Sequence, residues 1–330
     1  MTKRLDWIDQ ARGLSIFLVV YGHNFPINEP YIYSFHVPLF FLISGMFHPK
    51  SINKALVKKR AKVILIPYFF WSISLYLFWL FIGRKFGKSS DLDLSPLDNF
   101  IGVFYAQGGQ DYMDWGIPMW FLPCIFLVFV FYGLIQKISN KTIRYIVSIG
   151  LFIIGFSWIK ITNIHLPWSI DVAFVALLFY SIGNLLKKWV TNVSNKNALL
   201  FMIGLFVIHV ISFYYNPLKI DMYRSTYGNE ILFLISGITG SLAYILFFKL
   251  VPVFKFFTYL GKHTIILLAT HIRMLTLIKL VFYLILGITV FEFNEWQKFG
   301  LSILQIVLII PFIWVVNKYA PILDGKISKN

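Results

Sequence analysis

The chain has 330 residues, of which 58% are hydrophobic, 19% are aromatic and only 13% are charged. A soluble globular protein of this length needs far more polar surface, so the composition excludes that class. The net charge of +16 does not indicate nucleic-acid binding here, because in a membrane protein the distribution of basic residues between loops is the more informative property. The single cysteine, Cys124, excludes an internal disulfide and a multi-cysteine metal site.

Apolar stretches of about 20 residues recur along the whole chain, which is the pattern of membrane spans. The longest loop between them, 84–117, mixes glycine, serine and acidic residues. We therefore predict an all-α, polytopic integral membrane protein with about ten transmembrane helices, built as a single domain over residues 1–330. The predicted spans are 12–28, 31–48, 62–83, 118–138, 143–160, 168–187, 197–215, 230–250, 263–288 and 299–319.

The basic residues are unevenly distributed between the two sides of these spans. If the N-terminus is inside, 20 of the 30 lysines and arginines fall in inner segments and seven fall in outer loops. Cytoplasmic segments of membrane proteins carry such an excess of positive charge. The distribution therefore predicts that both termini are cytoplasmic.

The first span carries two polar residues in an otherwise apolar stretch, Arg12 and His23. A helix turns about 100° and rises 1.5 Å per residue, so His23 lies within about 20° of the face of Arg12 and about 16 Å further along. Such residues are costly in a membrane unless they are paired or face a wet cavity. Arg12 is therefore either an interfacial cation or part of a site, and His23 is either a structural histidine or part of a site.

Three more polar residues lie near the outer ends of predicted spans. His36 enters the second span across a short turn from His23, and Asn24 is next to His23. Two histidines in the outer halves of adjacent spans favour a functional site. Asp171, near the outer end of the sixth span, either orients a histidine, binds a sugar hydroxyl or is an exposed interfacial carboxylate.

The ninth span also carries two candidates, His271 and Arg273. Two residues correspond to about 200° around a helix, so the two side chains cannot face one cavity. We assign His271 to the site and Arg273 to an inter-helix or lipid-phosphate contact.

The segment KALVKKRAKVILIPY (54–68) places a basic run just before the third span. It anchors the topology, and its residues Lys59, Arg60 and Lys62 are also suited to binding the phosphates of a cytosolic ligand.

Aromatic residues surround the outer end of the fourth span, among them Trp115 and Trp120. An aromatic belt at the membrane interface explains them, and stacking on a sugar is the alternative. With His36, Asn24, Asp171 and His271, they complete the candidates for a ligand-binding site.

The first-span sequence RGLSIFLVVYGH, an R-x10-H pattern, resembles the acyltransferase 3 family of membrane proteins. Within that family the chain is most similar to the fucose 4-O-acetylase type of polysaccharide acetyltransferase. The similarity continues in order along essentially the whole chain, through YSFHVPLFFLISGMF (33–47), KKRAKVILIPYFFW (58–71), FYSIGNLL (179–186), DMYRSTYGN (221–229) and YLGKHTIILLATH (259–271).

This resemblance implies a multi-pass enzyme of the bacterial inner or plasma membrane. It would transfer an acyl group, usually acetyl from acetyl-CoA, to a sugar hydroxyl of a surface polysaccharide, O-antigen, capsule or lipid-linked precursor. The motif residues Arg12 and His23 would be catalytic and would act on the acyl donor. The candidates for the acceptor site would be His36, Asn24, Asp171, Trp115, Trp120 and His271. Lys59-Arg60-Ala61-Lys62 stands where the family often has R-x-x-R. No bound cofactor and no metal are expected.

Two catalytic routes and two other classes of function remain open at this point. His23 is expected to be a general base, with a covalent acyl-histidine as the alternative. A polysaccharide exporter or lipid-linked sugar flippase would also be a basic multi-span protein with charged residues inside the membrane. A scaffold whose histidines only pack is the third class.

Overall fold

The structure, a computed structural model, describes residues 5–327 except 86 and 289. Lys3, Arg4 and Lys329, which contribute to the predicted topology, lie outside the described residues. Within the described part the chain is helical and has no β-strand beyond one isolated bridge between Asp221 and Thr226. The all-α prediction is confirmed.

The described residues form fourteen α-helices joined by short turns and 3-10 segments. In chain order they are α1 (Asp6–Gly22), α2 (Glu29–Tyr33), α3 (His36–Met46), α4 (Lys54–Phe81), α5 (Pro96–Tyr105), α6 (Gln110–Met113), α7 (Phe121–Ile135), α8 (Lys141–Thr162), α9 (Ile170–Asn192), α10 (Asn195–Tyr214), α11 (Glu230–Leu250), α12 (Lys255–Lys262), α13 (Thr264–Leu286) and α14 (Glu295–Tyr319).

Eight helical segments in the described part of the chain are long and apolar enough to cross a membrane. They contain α4, α7, α8, α9, α10, α11, α13 and α14, which correspond to the last eight predicted spans. The protein is therefore a multi-pass membrane protein. The first two predicted spans overlap helices α1 and α3, which have only 17 and 11 residues, so the number ten remains a prediction.

The first helix begins and ends about six residues earlier than the predicted span 12–28. Asp6 and Asp9 lie in its first turn, where the positive end of the helix dipole favours acidic side chains. Asp9 is also buried by neighbouring helices, so its polarity does not mark a loop. The helix ends at Gly22, and Phe25 follows with a positive φ of 53°.

The loop 84–117 is more structured than its composition suggests, because it contains α5 and α6. Asn99 of α5 holds it together: its side chain donates to the Asp111 carbonyl oxygen at 2.9 Å and accepts from the Asp114 backbone N–H at 3.0 Å. The Trp115 indole N–H donates to the Asn99 carbonyl oxygen at 2.9 Å. These hydrogen bonds between side chains and the backbone hold residues 96–115 together, and we call this segment the outer cap.

Helix α1 lies inside the bundle, where it packs against α3, α11, α12, α13 and α14. Two glycines set the position of α3 against α9. A Cβ atom on Gly45 would lie 1.9 Å from the Tyr180 carbonyl oxygen, and one on Gly183 would lie 1.9 Å from the Leu42 carbonyl oxygen. Only glycine permits such close backbone contact, a common device for packing helices in membranes.

Candidate active site

A cavity of about 310 Å³ runs along α1 and is lined by both Arg12 and His23. These residues are eleven positions apart, so the cavity follows about 16 Å of the helix. The predicted common face of the two side chains is therefore the face that borders the cavity. We call the part near Arg12 its inner end and the part beyond His23 its outer end.

The inner end carries two arginines, Arg12 and Arg60. The Arg12 guanidinium lies 3.8 Å from the Asp9 carboxylate and 5.5 Å from the centre of the Phe47 ring. The Arg60 guanidinium lies 5.5 Å from the centre of the Phe129 ring. Its Nε is buried and has no hydrogen-bond partner among the described residues. A cationic group with unused donors at a cavity wall is suited to an anionic ligand.

The other two residues of the predicted basic cluster, Lys59 and Lys62, are exposed and do not line this cavity. On a helix, residues one and two positions from Arg60 lie about 100° and 200° around the axis. The cavity therefore meets the basic run through Arg60.

His23 lies directly after the last residue of α1 and contacts His271 of α13. The Nε2 atom of His271 is 3.3 Å from Nδ1 of His23, and the two ring centres are 4.9 Å apart. Each Nδ1 also contacts a carbonyl oxygen one turn earlier, Val19 for His23 at 2.7 Å and Leu267 for His271 at 2.8 Å. The structure thus joins two predicted site residues from distant parts of the sequence.

These contacts fix the tautomers of both rings. A carbonyl oxygen only accepts hydrogen bonds, so Nδ1 of each neutral histidine carries the hydrogen. The Nε2 atom of His271 is then an acceptor, and it lies 3.3 Å from Nδ1 of His23, whose single hydrogen is donated mainly to the Val19 carbonyl oxygen at 2.7 Å. Nε2 of His23 keeps its lone pair, which is the state required of a general base.

A polar network from α14 supports this pair of histidines. The Gln305 side chain donates to the His271 carbonyl oxygen at 2.8 Å. The Asn24 amide donates to Gln305 Oε1 at 2.7 Å and to the Ser302 hydroxyl at 2.9 Å. All three side chains are buried. Asn24, predicted as a site residue, thus connects α1 to α14 beside His23.

The outer end of the cavity carries aromatic and acidic side chains. Tyr33, Trp120, Tyr223 and Asp221 line it. His36 lines it as well, and its Nδ1 donates to the Ile32 carbonyl oxygen at 2.8 Å. Burial raises the pKa of the Asp221 carboxyl to about 6, although the cations of Lys219 and Arg224 oppose this shift. Carboxylates and aromatic rings suit the hydroxyl and C–H faces of a sugar.

A family model described as an acyltransferase domain matches residues 5–318, nearly the whole chain. The chain belongs to the acyltransferase 3 family. It is therefore a membrane acyltransferase, and the match includes the arginines, both histidines and the supporting residues of α14. No curated protein and no solved structure matches the chain.

Not every candidate residue of this acyltransferase reaches the cavity. Asp171 is fully buried, and its carboxylate lies 3.0 Å from Nδ1 of His165, so it orients a histidine away from the cavity. Trp115 is buried in the outer cap and does not line the cavity. Arg273 donates to the Trp115 and Asp114 carbonyl oxygens, a contact between α13 and the cap.

Three residues near the site of the acyltransferase were not identified from the sequence: Asp221, Gln305 and Ser302. A buried amide and hydroxyl three residues apart in the apolar helix α14 were a signal for the last two, since polar side chains inside a membrane need partners. Asp221 begins the segment DMYRSTYGN, which carries part of the family resemblance. Among residues 5–327 without 86 and 289, no group of three or more metal-binding side chains is placed to hold a metal ion.

Proposed function

We propose that this acyltransferase moves an acetyl group from cytosolic acetyl-CoA to a sugar hydroxyl of a bacterial surface glycan or its lipid-linked precursor. The observation that carries the proposal is a single cavity that joins Arg12 and Arg60, through His23, to Asp221 and its aromatic neighbours. The arginines at its inner end suit an anionic donor, and the carboxylate and aromatic rings at its outer end suit a sugar acceptor. The fucose 4-O-acetylase type remains our proposal for the closest functional class.

The inner end suits the acyl donor. Acetyl-CoA is polyanionic and has a long, slender arm that ends in a thioester. Arginine binds phosphates with several hydrogen bonds in a fixed geometry. Phosphates held near Arg12 and Arg60 would let the arm follow α1 and place the thioester beside His23.

The acceptor occupies the outer end, and the reaction takes place at His23. Nε2 of His23 accepts the proton of the sugar hydroxyl as its oxygen attacks the thioester carbonyl carbon. The new C–O bond replaces the C–S bond, and the leaving thiolate of CoA takes the proton from Nε2 of His23, which restores the neutral base. An acyl-histidine would use the same lone pair, and it is distinguished by trapping labelled acetyl on the enzyme without acceptor.

The direct test is to incubate purified protein with labelled acetyl-CoA and a candidate glycan. Label transfer to a glycan hydroxyl supports the proposal. An exporter or flippase would move the glycan without acetylating it, and a scaffold would do neither.

The proposal requires the inner end of the cavity to face the cytoplasm. We expect reporter fusions after residue 330 to show a cytoplasmic C-terminus, because 20 of the 30 basic residues then lie inside. A reporter fusion after residue 228 in the loop between α10 and α11 should be external. The opposite result for both fusions would contradict the donor geometry.

We expect Arg60→Gln to raise the KM for acetyl-CoA by about tenfold, because a hydrogen-bonded cation at a phosphate is lost. The matched controls are Lys59→Gln and Lys62→Gln, which remove the same charge from exposed positions of the same helix. The measurement is steady-state kinetics with the glycan held at saturation. An equal rise in the KM for acetyl-CoA in all three variants would indicate that the basic segment acts through its overall charge and that Arg60 has no specific contact with the donor.

We expect the KM for the acceptor to rise as the pH falls from 7 to 5. The pKa of Asp221 is raised to about 6 by burial, so its carboxylate is protonated below that pH and loses its strength as a hydrogen-bond acceptor. Asp221→Asn should raise the acceptor KM by about tenfold at pH 7 and remove this pH dependence. Asp111→Asn, at an exposed position of the outer cap, is the control. A pH profile unchanged by Asp221→Asn would contradict this role.

A further inference from the structure

The turn between α5 and α6, residues 106–109, packs against two aromatic residues of the cavity's outer end. A Cβ atom on Gly108 in this turn would lie 3.0 Å from Cβ and Cδ2 of Tyr223 and 3.1 Å from Cδ1 of Trp120. Tyr223 and Trp120 line the cavity and Gly108 does not, so the turn contacts them from outside it. We call these two aromatic residues the aromatic wall.

The two rings of the aromatic wall form one surface. Their centres are 6.5 Å apart, and their planes are inclined by 39°. Aromatic rings with centres about 4.5–7 Å apart contact each other directly, so no sugar ring fits between them. The wall instead offers a continuous apolar surface to the C–H face of a sugar, and the positions of Trp120 and Tyr223 decide where that surface lies.

The loop that carries Tyr223 is closed at its base and attached to α9. The backbones of Asp221 and Thr226 exchange two hydrogen bonds, at 2.8 and 3.0 Å. The Ser225 hydroxyl donates a long hydrogen bond, of 3.5 Å, to the buried carboxylate of Asp171. These contacts oppose a movement of Tyr223 away from the turn.

The turn in the outer cap is attached to the same part of α9. The Asp171 carboxylate accepts from Nδ1 of His165 at 3.0 Å. The His165 carbonyl oxygen accepts from the Tyr105 hydroxyl at 2.8 Å, and the Ser169 hydroxyl donates to the Ala106 carbonyl oxygen at 3.1 Å. The residues before Gly108 and the loop of Tyr223 are therefore anchored to one buried region.

Glycine at position 108 meets two requirements of this arrangement. Its φ is 83°, in the left-handed region that glycine adopts most readily. Its missing side chain leaves the aromatic wall in place, because a Cβ at 3.0 Å would crowd both rings. Since the turn and the loop of Tyr223 are both anchored, a shift of the two aromatic side chains is the way to relieve such crowding.

We infer that Gly108 is a specificity-determining position for the acceptor, because the turn sets the place of the aromatic wall against which the sugar packs. The inference rests on the proposed function in one respect: it takes the outer end of the cavity as the acceptor end. The donor groups Arg12 and Arg60 lie at the inner end, so a change at Gly108 should alter acceptor binding and leave donor binding unchanged.

The test measures binding without turnover. Purified protein is dialysed to equilibrium against labelled methyl fucoside, a sugar ring of the proposed acceptor class, and against labelled sorbitol, an acyclic polyol with no fixed C–H face. We expect the wild type to bind the fucoside about threefold or more tightly than sorbitol. Gly108→Ala should weaken fucoside binding by about tenfold and leave the Kd for acetyl-CoA unchanged.

Gly109→Ala is the matched control in the same turn. Gly109 has an ordinary φ of −67°, and the nearest atoms to a Cβ there belong to the flexible Gln107 side chain. This variant should bind the fucoside like the wild type. Gly108→Asn is a second variant, since asparagine tolerates a positive φ. It should weaken fucoside binding as much as Gly108→Ala, because its Cβ makes the same contacts.

A double variant separates positioning of the wall from a general loss of structure. If Gly108 acts through Tyr223, Gly108→Ala combined with Tyr223→Leu should bind the fucoside no more than about threefold more weakly than Tyr223→Leu alone. An independent structural defect would add its full tenfold loss, which would contradict the inference.

Three other results would overturn the inference: wild-type fucoside affinity in both Gly108 variants, a matching loss of acetyl-CoA affinity, or equal binding of fucoside and sorbitol by the wild type. If the fucoside binds as expected but is never acetylated, the proposed function fails and the sugar-binding wall remains. If acetyl is transferred to the fucoside while the Gly108 variants bind it normally, the proposed function remains and the inference fails.

Discussion

Replacing His23 with alanine is expected to slow acetyl transfer by about 10²–10⁴-fold, the usual cost of losing one general base. The inserted yield and the affinity for acetyl-CoA should remain close to wild type. The ring lies after the last residue of α1 and borders the cavity, so its loss removes little packing. The measurements are single-turnover transfer of labelled acetyl and equilibrium binding of the donor.

Variants of His271 test whether the tautomer of His23 matters. His271→Gln keeps an oxygen that can accept from Nδ1 of His23, whereas His271→Phe keeps the bulk of the ring and removes the acceptor. We expect the glutamine variant to retain more activity than the phenylalanine variant. His165→Ala, outside the cavity, is the histidine control. A His23→Ala enzyme that inserts normally and transfers acetyl at the wild-type rate would end the catalytic interpretation.

Replacing Gly45 with alanine is expected to lower the stability of the folded protein by about 3 kcal/mol or more, at the upper end of the cost of overpacking. The new Cβ would lie 1.9 Å from the Tyr180 carbonyl oxygen, so α3 and α9 must separate. Since α3 carries His36, this separation should also reduce activity. The loss of stability is measured by thermal unfolding in detergent. The fraction of protein that elutes as a monodisperse peak in size-exclusion chromatography is a second measurement.

Gly204→Ala is the matched control for that substitution. This glycine lies in α10, and a Cβ there meets no atom within 4 Å. Alanine in an open helical position is more favourable than glycine by about 0.5–1 kcal/mol. If Gly45→Ala is as stable as Gly204→Ala, the contact between α3 and α9 tolerates a methyl group.

The sequence was informative wherever a helix has a long apolar stretch or a fixed periodicity. The last eight spans and the common face of Arg12 and His23 followed from hydropathy and from the 100° turn per residue. The opposed directions of His271 and Arg273 followed in the same way, and the two indeed have different partners.

Contacts between distant residues were beyond such reasoning. Periodicity places His271 on a face of α13, but it does not say that α13 packs against the end of α1. Asp171 and Trp115 were candidates by residue type, and tertiary packing directs both into structural contacts. The predicted first span starts at residue 12, whereas α1 starts at Asp6 and includes Asp9, because the burial of a charged residue by other helices is invisible in the local sequence.

The hydrogen bonds of His23 and His36 to carbonyl oxygens four residues earlier determine what the cavity can recognise. Both rings turn their hydrogen towards the backbone, so both offer the cavity a lone pair and neither offers it a hydrogen. A molecule rich in hydroxyl groups satisfies such a wall, whereas an ether or an ester would leave it unsatisfied. In the proposed reaction, the backbone turn that orients each imidazole would therefore also favour an unmodified hydroxyl over one that already carries its acyl group, and this would help product release.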